Sequence, residues 1–119
     1  MIYNKEEYKI KFYCNPITKF EPVRQYINDI NDKDKQKVQK YLEFLRLNKG
    51  YLDEPYSRHI IGKLRELRVD IDHNFHRIIY FTHINKNIIL LHAFLKKTKK
   101  TPSREKIIAL RRYQQLINQ

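Results

Sequence analysis

The stretch FLKKTKKTPSREKIIALRRY, residues 94–113, holds eight Lys or Arg (Lys96, Lys97, Lys99, Lys100, Arg104, Lys106, Arg111 and Arg112) against one acid, Glu105. Such a run is either a solvated basic tail or a phosphate-binding surface on a folded domain. Arg77 stands out by its setting. It lies near the start of the apolar run RIIYF, and an unpaired charge is costly to bury in a core strand. A pair with Glu66 or Asp70 on the neighbouring run is the structural alternative to a functional role. Arg68, in LRELRV, faces either the same cleft or solvent, and Arg65 reads as exposed. Metal-free RNA cleavage is one reaction that such residues can serve. RNA can be cut without a metal when its own 2′-hydroxyl attacks the adjacent phosphorus, giving a cyclic phosphate and a 5′-hydroxyl. A catalyst must align the nucleotide, stabilise the added negative charge and move two protons. Arg and Lys serve the charge; His, Lys or Tyr can move protons. A metal set of Glu66, Asp70 and Asp72 is poorly spaced and embedded among arginines, and no His–carboxylate spacing supports it. No metal and no cofactor are expected.

The whole chain shares this bias. Its 119 residues carry a formal net charge of +12, which favours a polyanionic partner: RNA, DNA, an anionic membrane surface or an acidic protein. Hydrophobic residues make up 41% and aromatic residues 13%, enough to build a core in one domain spanning residues 1–119. Two glycines and four prolines argue against low-complexity disorder. A single cysteine, Cys14, cannot form an intramolecular disulfide and fits a reducing cytoplasm. MIYNKEEYKI is too charged for a signal sequence, and IILLHAFL at 88–95 is too short to span a bilayer. A membrane-surface helix at 102–118 has too weak an apolar face.

The elements that must position these residues follow from periodicity. YKIKFYC, residues 8–14, alternates as a strand. Pro22 opens a helix whose stripe is Val23, Tyr26, Ile27 and Ile30. Asn31 or Asp32 caps a second helix with the stripe Val38, Tyr41, Leu42 and Leu45, closed by Gly50. YLDEPYSRHIIGK reads as a loop. Strands follow at 64–71, 75–84 and 87–95, joined by turns at Asp72–Asn74 and Asn85–Lys86. Thr101 resembles a cap before Pro102, and a loosely packed basic helix runs to Ile117. This order predicts a small α+β domain: an antiparallel sheet with two N-terminal helices and one C-terminal helix packed on it.

The same order, with EPVRQYI, DEPYSRHI, LRELRV, HRIIYF and ILLHAFLKKTKKTP, resembles the RelE/HigB toxin superfamily, in particular its phage-derived HigB-like branch. The resemblance runs from Glu21 to Tyr113. Its most specific part is LLHxFxKKTxKTPxxE, present as Leu90 to Glu105. It implies a RelE-like fold, ribosome-dependent mRNA cleavage that inhibits translation, and a HigA-like helix-turn-helix antitoxin. By resemblance Arg77 contacts the scissile phosphate and Lys97 offsets transition-state charge. Lys96 has the opposite strand parity and is held in reserve. His59, before LRELR, matches a histidine that some HigB relatives use for proton transfer; a loop histidine capping a carbonyl is the plain alternative. Lys96, Lys99, Lys100, Arg104, Arg111 and Arg112 would form a basic face for ribosomal RNA. Tyr80 and Phe94 could stack on a base but suit the core better, as does His92. Glu105 would support the helix dipole or tether Lys97. The main rival is a basic RNA- or DNA-binding module without catalysis, which explains the charge equally well but not an arginine in a core strand.

Overall fold

A computed structural model describes residues 7–118. In chain order the elements are β1 (Lys9–Phe12), α1 (Pro22–Asp29), α2 (Asp32–Leu47), β2 (Ser57–Ile61), β3 (Leu64–Ile71), β4 (Asn74–Thr82), β5 (Asn87–Leu95) and α3 (Ser103–Ile117). The first six residues of MIYNKEEYKI lie outside the described residues. Among those described, no helix is long and apolar enough to cross a membrane.

The α+β class and all three helices are as expected, and the sheet order is β1-β5-β4-β3-β2. The sheet departs from the expectation twice. First, β1 runs parallel to β5, with Lys9 opposite Asn87 and Phe12 opposite Leu90, so the sheet is mixed. Second, the segment read as a loop contributes β2, antiparallel to β3. Pro55 and Gly62 hid it. Pro55 lies before the strand, and Gly62 sits in the turn to β3 at φ +54°. The five residues of Ser57–Ile61 are left to form the strand.

Local chemistry explains the helices. Pro22 starts α1, and Val23 and Ile27 point inward. The Asn31 side chain caps α2 by accepting from the Asp34 amide at 2.8 Å. Asp32 and Asp34 occupy its first turn, where negative charge is favourable. Gly50 (φ +85°) lets the chain turn sharply beyond α2, and a Cβ there would come within 2.1 Å of Thr82 Oγ1.

Strand alternation divides the core. On one face Leu67, Val69, Ile71, Ile78, Tyr80, Ile88 and Leu90 meet Val23, Ile27, Val38, Leu42 and Leu45 from α1 and α2. On the other, Leu64, Ile79, Phe81, Leu91 and Phe94 meet Tyr13 and Ala109, with Leu110, Tyr113 and Leu116 packed alongside. The final helix therefore has its own core and is not loosely packed. Thr101 does not cap it: Pro102 is the capping residue, without a side-chain bond. A polar network also crosses the first core. Buried Asp34 Oδ2 accepts from His76 Nε2 (2.8 Å) and Asn74 Nδ2 (3.0 Å), and His76 Nδ1 lies 2.7 Å from the Tyr26 hydroxyl. Burial, then the Asp34 carboxylate, pushes the Tyr26 phenol up to about 12.

Candidate functional site

Because α3 covers only part of its face, one end of the sheet stays open there. The C-terminal end of β3, the N-terminal end of β4 and the segment after β5 line a groove of about 710 Å³. Arg68 and Arg77 are direct cross-strand partners, as are Asp70 and Phe75. Alternation puts Phe75 on the same face as Arg77, and Arg68 and Asp70 on that face of β3. Lys96, Lys97 and Lys99 close the third side, and His73 stands at the rim. Five cations therefore line the groove, with Asp70 the only carboxylate among its lining residues.

Beneath them lies a buried charge cluster. Arg77 is 3% exposed and Glu66 fully buried. Arg77 Nη1 donates to Asp70 Oδ1 at 2.5 Å and to the His76 carbonyl at 2.9 Å, while Nε stands 3.8 Å from Glu66 Oε1. Both pairs anticipated for this arginine are present. The other Glu66 oxygen accepts from Thr101 Oγ1 at 2.6 Å, which ties the start of the basic helix to β3. Among the described residues, the only buried side-chain polar atoms without a hydrogen-bond partner in the protein are Glu66 Oε1, Arg68 Nε and Arg77 Nε. All three belong to this cluster. Glu66 Oε1 and Arg77 Nε still face each other as an ion pair. Buried polar groups are nearly always hydrogen-bonded, so the concentration of these atoms at one place makes the groove above them the candidate site.

Lys96 is buried as well (7% exposed), whereas Lys97 is exposed. Burial, then the adjacent Arg77 guanidinium, holds the Lys96 ammonium below the usual lysine range, with Glu66 opposing. The two lysines were expected not to share a site. Both line the groove because β5 ends at Leu95, so strict alternation stops before them. Lys96 thus belongs with Arg77 rather than with an outer binding face.

Apart from Lys99, the remaining candidates lie elsewhere. His59 is an exposed residue of β2, opposite Arg65, and its Nε2 lies 2.8 Å from the Gly62 carbonyl of the same hairpin. That is the capping role, and His59 does not line the groove. Arg65 is not simply exposed: its guanidinium stacks on Tyr51 at 4.5 Å and bonds Ser57. Lys99, Lys100, Arg104 and Arg111 are exposed. Arg112 turns inward, donating to the Leu91 carbonyl at 2.9 Å. Glu105 pairs with His92 Nε2 at 2.7 Å rather than with Lys97. Tyr80 and Phe94 are core. Phe75, 38% exposed, is the aromatic ring that lines the groove. The sequence reading missed Phe75 and His73, although the two-residue period from Arg77 reaches Phe75. Among the described residues, no His, Cys, Asp and Glu side chains gather as a metal-holding group.

This geometry can bind a phosphate against paired guanidinium groups, offset further negative charge with two ammonium groups, and stack a base. No curated protein matches the chain. The family model described as phage derived protein Gp49-like (DUF891) matches residues 25–114, most of the chain and nearly the whole span of the resemblance. Its first matched residues lie in α1 and its last in α3, so all the groove residues fall within it. The chain therefore belongs to the phage-derived Gp49-like family, within the RelE/ParE-like toxin superfamily.

Proposed function

We propose that this protein is the toxin of a type II toxin–antitoxin pair, of the HigB-like branch, and that it cuts mRNA on the ribosome without a metal. The observation that carries the reading is the convergence of Arg68, Arg77, Lys96 and Lys97 on one groove above a buried charge cluster. In this reading the scissile phosphate rests against Arg77 and Arg68. The 2′-oxygen attacks phosphorus as the bond to the 5′-oxygen breaks; one proton leaves the 2′-hydroxyl and one reaches the departing oxygen. Lys96 and Lys97 offset the charge added in the transition state. Lys96 releases a proton more readily than an exposed lysine, which suits it to one of the transfers. His73, on the same groove, is the companion group, in place of His59. Phe75 supplies a stacking ring. Lys99, Lys100, Arg104 and Arg111 face ribosomal RNA; Arg112, spent on Leu91, is left out.

The reading includes one domain over residues 1–119, action in the cytoplasm, and inhibition by a HigA-like helix-turn-helix antitoxin. The +12 charge suits an acidic inhibitory segment across the groove. The second reading is a non-catalytic nucleic-acid-binding module. The pairing of Arg77 with Glu66 and Asp70 favours it, since that pairing gives the arginine a structural role.

Induced expression tests the proposal. Growth arrest is expected, with falling translation and cuts confined to translated regions of mRNA. Normal growth of the natural host, with the soluble protein verified, would count decisively against a toxin.

A further inference from the structure

A second groove, of about 660 Å³, lies between the outer face of α2 and the chain leading into β2. Lys33, Lys37 and Lys40 recur there at i, i+4 and i+7, a row about 10 Å long on one side of the helix. Three aromatic rings lie among them. Tyr41 meets Tyr56 edge-on at 5.8 Å and Phe44 at 6.1 Å. Lys37 and Lys40 stand 5.5 and 5.7 Å over the rings of Tyr41 and Phe44. Phe44 and Tyr56 are 41% and 49% exposed, so neither owes its place to the core. Cations interleaved with exposed rings are what a single strand of nucleic acid needs, since its phosphates and the flat faces of its bases are both satisfied.

The two grooves lie on opposite faces of the sheet and approach each other around the end of β3. Lys37 Nζ donates to the Asp70 carbonyl at 2.6 Å, and the Asp70 carboxylate accepts from Arg77. Lys33 pairs with Asp72 at 3.1 Å, in the turn that follows β3. A strand leaving Arg77 therefore finds further cations around the end of β3. We propose that the α2 groove is a second RNA subsite, which holds the single strand running on from the reacting nucleotide. Bases stack on Phe44 and Tyr56, and phosphates lie against Lys37 and Lys40. The choice of RNA rests on the function proposed above. The shared contact with Asp70 at the end of β3 favours RNA over an acidic protein segment, because one flexible polyanion can pass from one groove to the other.

The test uses fluorescein-labelled 2′-O-methyl oligouridylates of four and twelve nucleotides, which lack the attacking hydroxyl, and reads binding by anisotropy at about 150 mM salt. The longer probe should bind the intact protein at least about fivefold more tightly than the shorter, a modest share of what stacking two bases can provide. The double variant Phe44→Ala, Tyr56→Ala should lose most of that advantage. Lys40→Glu, a substitution at an exposed position that leaves both rings in place, should lose it too. Retention of the advantage in both variants overturns the proposal. So does specific binding of a helical Glu/Leu repeat peptide that these variants abolish while RNA binding persists; the groove is then a protein-docking site. Lys97→Ala with Lys99→Ala reports on the first groove separately. Unchanged four-nucleotide affinity there would count against that groove while leaving the length effect to judge this one.

Discussion

Arg77→Ala is expected to slow single-turnover cleavage on saturated ribosomes by at least tenfold, about 1.4 kcal/mol of transition-state stabilisation, with ribosome affinity little changed. A contact that strengthens as the phosphorus gains charge acts on the chemical step, whereas a uniform contact acts on association. The surface lysines supply the contrast. Lys99→Ala with Lys100→Ala should weaken ribosome binding and flatten its salt dependence, because fewer counterions are released. Lys99 also lines the groove, but both lysines are assigned to ribosomal RNA, so cleavage at saturation should stay nearly normal. The substitution at Arg77 has a structural cost too. It leaves Glu66 buried and Asp70 without its 2.5 Å partner. The fold of Arg77→Ala must therefore be checked by its melting curve. Arg77→Lys supplies a second readout: it keeps the charge but loses the planar fork, and should remain well below the parent rate. A folded Arg77→Ala that cuts normally, beside a lysine pair that abolishes chemistry, would move the active centre into the 96–100 segment.

The largest stability effect is expected at Asp34. This carboxylate is 2% exposed and accepts from both His76 and Asn74. Asp34→Ala removes the acceptor from a buried histidine, loosens α2 from β4, and should cost about 3 kcal/mol of folding free energy in denaturant titration. A loss below about 1 kcal/mol would show the network to be dispensable. The pH dependence has a definite sign. The hydrogen bond from His76 holds the Asp34 carboxyl below its usual range, against the opposing effect of burial. A depressed carboxylate stabilises the fold above its unfolded pKa of about 3.9 and loses that contribution as pH falls through the lower folded value. His92 acts in the same direction. Burial, opposed by Glu105, lowers its pKa, so the unfolded chain takes up its proton first and stability falls as pH drops through the range of an ordinary histidine.

Where one face of an element is buried, its periodicity was legible in the sequence. Val38, Leu42 and Leu45 marked the inward face of α2, and its start was narrowed to Asn31 or Asp32, of which Asn31 is the cap. The near-continuous apolar run of β5 announced a strand covered on both faces. The edges were less legible. β2 is five residues long and mostly exposed, with no apolar period to detect, and the direction of β1 depends on which strand it meets. The site was half readable. Arg77 declared itself as a charge in an apolar run. Lys96 did not, because its place in the groove depends on where β5 stops. The fixing of Thr101, the inward turn of Arg112 and the His76 network are long-range contacts that no local pattern encodes.

The chemistry itself is read most directly from the ends of the RNA. Ribosome-bound mRNA is cut by the purified protein and both new termini are mapped. The account predicts a 5′-hydroxyl on one fragment and a 2′,3′-cyclic phosphate on the other, as required when the 2′-oxygen attacks within the groove of Arg77, Arg68, Lys96 and Lys97. A 5′-phosphate on the downstream fragment would mean that water or another nucleophile attacked instead, and would contradict it.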